Sequence, residues 1–253
     1  MALSNPPEQS LELTGAKQSK PAFLYLHGFA SSPKSRKATF FKERLEQLGH
    51  RCLVPDLNVP SFKELTLSAQ LNLIEKLRPL LADQIVIIGS SMGGLLAALL
   101  AASPGGRNEA TSVTESPQLS LPGIKAIILM APGFGITKRW RELVGVEGMA
   151  SWQETGYREY FHYAADKNLD LHWGFIEDLK QHPAEVQVDI PTLLLHGIYD
   201  ETVPIEHSRQ FAKQNSGAKL VELEDGHELG DSLEQIWSQT VTFLQIESAD
   251  QQQ

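Results

Sequence analysis

Residues 85–100 read IVIIGSSMGGLLAALL, two apolar runs separated by a cluster of Gly, Ser and Met. Gly89, Ser91 and Gly93 have the G-x-S-x-G spacing that displays a serine hydroxyl on a sharp strand-to-helix turn. Ser90 is the competing hydroxyl, but the residue two before it is Ile88, so the spacing selects Ser91. The glycines have a steric role, because the chain passes close to itself at such a turn and side chains two positions either side would collide. The chemistry implied is nucleophilic attack on an acyl carbonyl. A phosphate cradle is the other use of a Gly-rich turn, yet GSSMGG matches neither G-x-x-x-x-G-K-[ST] nor G-x-G-x-x-G.

A serine hydroxyl is a weak nucleophile at neutral pH and needs a base. Of the eight histidines, His227 in EDGHEL follows the last predicted strand, where this topology supplies its base. His27 and His196 end strands beside glycines and are expected to pack loops. His50 and His207 lie near the starts of elements, and His162, His172 and His182 fall in residues 134–187. A carboxylate must hold the imidazole in one tautomer, and the order serine, acid, histidine selects Asp200 in HGIYDETVP. Glu201 is expected to point elsewhere, and Asp225 to shape its own turn. The developing oxyanion requires fixed N–H donors. The expected ones are the backbone N–H of Met92 and, from HGFASS, that of Phe29.

The elements that must position these groups are legible in outline. PAFLYLHG (21–28), HRCLVPDL (50–57), QIVIIG (84–89), IKAIILMAP (124–132), PTLLLHG (191–197) and AKLVELED (218–225) read as strands. Amphipathic helices alternate with them: one starting at Ser32-Pro33 and stopped by Gly49, one carrying Leu67, Leu71, Ile74 and Leu81, one over 92–103, then PIEHSRQFAKQ and DSLEQIWSQTVTFLQI. Such alternation predicts an α/β fold, a mainly parallel sheet of about six strands with helices on both faces. In such sheets ligands sit beyond the carboxyl ends of the strands, where HGFASS, GSSMGG, HGIYDE and EDGHEL all fall. Residues 104–123 read as a polar surface loop, and residues 1–20 and 248–253 as flexible tails. Residues 134–187 interrupt the alternation with mostly helical patterns, as an inserted cap would.

Bulk properties narrow the class. A chain of 253 residues with 42% hydrophobic content can build one sizeable core. Its net charge of -9 disfavours nucleic acid as a partner. Cys52 is the only cysteine, which excludes an intramolecular disulfide or a Cys-based zinc site, and it reads as a buried hydrophobe. No secretory leader or membrane-spanning stretch is read in the sequence, so a soluble cytoplasmic chain is expected, without metal or organic cofactor. No motif bears on oligomeric state.

YLHGF, GSSMGG, HGIYDETVP and DGHEL, in that order, resemble the α/β-hydrolase fold, and HGFASSPKSRKA resembles the small bacterial YqiA-type esterases. The resemblance implies a single α/β-hydrolase domain over 1–253 with Ser91, Asp200 and His227 as its triad. It implies hydrolysis of a carboxylic ester or thioester, a small-molecule acyl substrate; an amidase, a peptidase and a non-catalytic binder of the same fold are the alternatives. The polar 104–123 stretch and the longer cap depart from that family. Eight aromatics between Trp140 and Phe175 (Trp140, Trp152, Tyr157, Tyr160, Phe161, Tyr163, Trp173 and Phe175) could line a pocket for an acyl chain or aromatic ester, or simply dock the cap. Lys138, Arg139 and Arg141 at the start of the cap read as a solvated face or as a contact for an anionic substrate.

Overall fold

A computed structural model describes residues 20–102, 121 and 123–246. The predicted tails, apart from Lys20, and most of the 104–123 loop lie outside the described residues. In chain order the elements are β1 (Ala22–Leu26), α1 (Arg36–Gln47), β2 (Cys52–Leu53), α2 (Leu67–Lys76), β3 (Ile85–Ser90), α3 (Met92–Leu100) and β4 (Ile124–Met130). They continue with α4 (Ile136–Thr155), β5 (Tyr157–His162), β6 (Lys167–His172), α5 (Gly174–Leu179), β7 (Thr192–Gly197), α6 (Glu206–Gln214), β8 (Ala218–Leu223) and α7 (Leu233–Leu244). Six strands form one sheet in the order β2-β1-β3-β4-β7-β8, and every pairing in it is parallel.

The sheet sorts its side chains with a period of two, as pleating requires. Phe23, Tyr25, Val86, Ile88, Ile128 and Met130 face α1 and α7, in one cluster with Phe41, Leu45 and Ile236. Their neighbours Leu24, Leu26, Ile85, Ile87, Ile127 and Leu129 face the other way, packed with Leu71 and Ile74 of α2 and with Leu96 of α3. Both faces are covered, so the central strands are apolar throughout instead of alternating with polar residues.

Three local features differ from the sequence expectation, the first being that β2 covers only Cys52–Leu53 of the strand expected over 50–57. Helix α1 starts at Arg36, with Ser35 Oγ accepting the Ala38 N–H at 3.4 Å; Ser32 instead accepts the Lys34 N–H in the turn before it. The segment 134–187 is not wholly helical. Between α4, which is broken at Gly145, and α5 lies the antiparallel hairpin β5–β6, paired from Tyr157↔His172 to His162↔Lys167. Arg158, Tyr160 and His162 are the less exposed residues of β5, and Tyr157, Glu159 and Phe161 the more exposed ones. This six-residue alternation is too short to stand out beside the longer helical pattern.

His27, at the end of β1, fixes the loop that follows. Its Nδ1–H donates to Gly28 O at 2.9 Å, and its unprotonated Nε2 accepts the Leu57 N–H at 3.0 Å. Burial lowers its pKa below the ordinary 6.5; the Gly28 carbonyl and Asp56 oppose that shift without reversing it. The unfolded chain therefore binds the proton first, so this contribution to stability is complete above pH 6.5 and is lost as pH falls below it. The melting temperature is expected to drop as pH falls below 6.5, and to drop less steeply in His27→Gln. Equal pH slopes in the two proteins would contradict a neutral, structurally engaged His27.

Candidate active site

The end of β3 delivers the chain into α3 through Ser91, whose φ of 53° and ψ of -115° lie in the left-handed half of the map. A non-glycine residue held in such a sparsely populated region costs about 1–3 kcal/mol and persists only where its surroundings over-determine it. They do so here. Ser91 N–H donates to Met130 O at 2.9 Å, while Ser91 O accepts the N–H groups of Gly133, Gly94 and Leu95 at 2.8, 2.9 and 3.2 Å. The flanking glycines permit the crossing: a Cβ on Gly89 would lie 2.2 Å from Gly93 O, and one on Gly93 would lie 2.1 Å from Leu26 O. Ser90 is buried in the strand beside the Tyr25 side chain.

His227 stands in the loop after β8. Its Nε2 lies 3.0 Å from Ser91 Oγ and its Nδ1 lies 2.7 Å from Asp200 Oδ2. Asp200, in the loop after β7, has a fully buried side chain with both oxygens engaged. Oδ1 accepts the N–H groups of Thr202 and Val203 at 2.9 and 2.7 Å. Oδ2 receives His227 and also His196 Nε2, 3.1 Å away. Burial alone would raise the Asp200 pKa, but hydrogen bonds from His196, His227 and the Val203 N–H outweigh it and hold the carboxyl well below the usual range. His196 is therefore more than a loop-packing residue. Its Nε2–H is shared with Val203 O at 2.9 Å, so its Nδ1 accepts from the Ser208 hydroxyl at 2.7 Å. A sequence signal for it exists only in hindsight: a histidine at a strand end, one tight turn before the acid.

Glu201 and Asp225 take no part in this chain of contacts. Glu201 is exposed, while Asp225 accepts the N–H groups of Gly226, Asp231 and Ser232 and shapes the start of α7. The loop after β1 lies against the serine, for a Cβ on Gly28 would sit 3.3 Å from Ser91 Cβ and 4.0 Å from its Oγ. The next N–H along is that of Phe29. Among the described residues, neither it nor the Met92 N–H at the head of α3 donates to a protein acceptor.

A cavity of about 930 Å³ opens over Ser91. The cap's aromatics divide between its wall and the core. Trp140, Tyr160, Phe161 and Tyr163 line it, whereas Trp152, Trp173 and Phe175 are buried and Tyr157 is exposed. Phe29 joins the two groups, with its ring 5.1 Å from Trp140, 5.2 Å from Phe62, 5.4 Å from Tyr160 and 5.9 Å from Phe175. Tyr163 N–H also donates to Ala30 O at 3.0 Å, which ties the hairpin to the loop after β1. Arg139 ties the cap to the acid loop through Thr202 O at 2.9 Å and through Glu201 O. Lys138 stays exposed beside Glu142, and Arg141 lies outside the cavity. Among the described residues no set of three His, Cys, Asp or Glu side chains is placed to hold a metal ion, and no helix is long and apolar enough to cross a membrane.

Residues 22–119 and 118–245 match the family described as Uncharacterised protein family (UPF0227), the two pieces meeting inside the polar 104–123 stretch. Among curated proteins none matches the chain. Solved structures share its fold. Est1E from Butyrivibrio proteoclasticus, with ferulic acid bound, is 22% identical with a TM-score of 0.69, over 89% of this chain and 88% of that one. Mouse alpha/beta hydrolase domain-containing protein 10 is 20% identical with a TM-score of 0.67, over 92% and 93%. The fold is that of the α/β-hydrolases.

The glycine contacts generate a direct test. Gly93→Ala puts a methyl group into the Leu26 carbonyl and is expected to destabilise the fold by about 1–3 kcal/mol or more, as overpacking does. Thermal denaturation measures this, and an unchanged midpoint would show that the backbones do not approach as described.

Proposed function

The chain belongs to the family described as Uncharacterised protein family (UPF0227), and from that premise and its fold we propose that it is a serine hydrolase cleaving a carboxylic ester through an acyl-enzyme. The observation that carries the reading is the unbroken line Ser91 Oγ, His227, Asp200, with contacts of 3.0 and 2.7 Å, starting at a strained turn beneath a cavity.

In the proposed mechanism His227 Nε2 takes the Ser91 proton as Oγ attacks the acyl carbon. Asp200 accepts from Nδ1–H, holding the attacking-side nitrogen free of a proton, and stabilises the imidazolium that forms. His196 and two backbone N–H groups keep that carboxylate ionised and fixed. The Met92 and Phe29 N–H groups receive the oxyanion, aided by the positive end of α3. His227 then protonates the leaving oxygen, and a water activated by the same nitrogen releases the acyl group. Thioester and amide bonds are open to the same machinery. A small acyl compound fits a cavity whose far wall is aromatic.

Initial rates on p-nitrophenyl esters from acetyl to palmitoyl test this. Wild type is expected to turn them over, Ser91→Ala to lower kcat by about 10⁶ and Asp200→Asn by roughly 10⁴. Ser90→Ala should remain active. Loss in Ser90→Ala with activity in Ser91→Ala would overturn the assignment of the nucleophile, and no turnover by wild type of any ester would favour a binding protein of this fold.

A further inference from the structure

The lining of the cavity over Ser91 comes from two parts of the fold. Under the cap, Trp140, Leu143, Val144 and Tyr160 present apolar surface beside Phe29. Another part of the wall is built from the entry to α1 and the loop that carries His227. Two contacts place those segments together. Lys37 Nζ donates to Glu228 O at 2.6 Å and to its carboxylate at 3.2 Å, and the Arg36 guanidinium would lie 3.5 Å from a Cβ on Gly230.

The charge on this cavity is opposite to that of the chain. The whole protein carries -9, with 31 acidic side chains against 22 Lys and Arg. The cavity is lined by Lys34, Arg36, Lys37, Arg139 and Arg158, and by a single carboxylate, Glu228. Three of the five cations are committed within the protein: Lys37 to Glu228, Arg139 to the acid loop and Arg158 to Tyr160. Lys34 and Arg36 are exposed and have no acidic partner among the described residues.

The direction of the reaction tells which part of a substrate meets them. His227 must pass its proton to the leaving atom, so the leaving group lies on the His227 side and the acyl group on the other. Arg36 stands on the His227 side, beside Gly230, and Lys34 lines the same cavity two residues earlier in the chain. We propose that the substrate's leaving group carries an anionic substituent, a carboxylate or a phosphate, held by Lys34 and Arg36, while an apolar acyl group lies under the cap.

This assignment rests on the serine-hydrolase reading. The covalent step is unchanged by it. The Ser91 Oγ–acyl bond forms, the acyl–oxygen bond breaks, the serine proton goes through His227 to the leaving oxygen, and one water later replaces Ser91 on the acyl carbon. The products are a free apolar acid and an anionic alcohol.

The test compares three esters of one acyl group: 4-butanoyloxybenzoate, 4-butanoyloxyphenyl phosphate and the neutral 4-butanoyloxybenzamide. Within each protein, kcat/KM for an anionic ester is divided by that for the benzamide, so that general losses cancel. Wild type is expected to prefer at least one anionic ester by about tenfold at low salt, less at high ionic strength. The carboxylate and phosphate arms identify which anion is held. In Lys34→Ala/Arg36→Ala that ratio should collapse towards one through KM, and in Arg36→Glu it should fall below one. No anionic preference in wild type, or a preference that survives both substitutions, would overturn the proposal. Failure of wild type to hydrolyse any of the three would instead strike the serine-hydrolase reading beneath it.

Discussion

Three backbones cross at the end of β3 with no room for a side chain between them. Gly89 lies against Gly93, and Gly93 lies against the Leu26 carbonyl at the end of β1. That contact forces α3 to begin abruptly and leaves Ser91 at positive φ, with its hydroxyl turned out of the sheet and its carbonyl tied to three N–H groups. The rest of the site is arranged around this point. The β1 loop, the head of α3 and the loops after β7 and β8 all rise on the same edge because every strand in the sheet runs the same way. A strained turn of this kind is stable only as part of a folded core, so the proposed nucleophile does not exist in the unfolded chain.

Electrostatic order is imposed on that frame from behind. Asp200 is placed out of water, yet four donors converge on its two oxygens, two imidazoles on one and two amides on the other. A buried carboxylate so satisfied remains ionised and cannot rotate, which sets the tautomer and the plane of His227. The cap is anchored to the same parts. Arg139 binds the loop beside Asp200, Tyr163 binds the loop beside Phe29, and Phe29 itself sits among cap and core aromatics. The cavity walls and the proposed oxyanion donors are consequently one mechanical unit.

Much of this could be read from the chain because its signals are local. The apolar strands, the glycine spacing around Ser91, and the order of Asp200 and His227 are short patterns with strong steric or topological causes. The structure brings those three side chains into hydrogen-bond contact. What escaped depends on tertiary placement. His196 and Asp200 meet because a strand end and a tight turn bring them together, and no periodicity announces it. Lys37 and Glu228 lie at opposite ends of the sequence. The hairpin β5–β6 is held by cross-strand pairing and by cap packing, so its six-residue strands leave only a faint alternation. Helix α1 begins later than its first serine suggests because two serines were available as caps, and the turn at Ser32 consumed the first.

Everything proposed for the site depends on Ser91 being the activated hydroxyl. Treating the protein with a fluorophosphonate and mapping the adduct by peptide mass spectrometry tests this without assuming a substrate. A single adduct on Ser91, formed in wild type and lost in His227→Ala, is the predicted result. An adduct on Ser90 or elsewhere, or none at all in the folded protein, would contradict it.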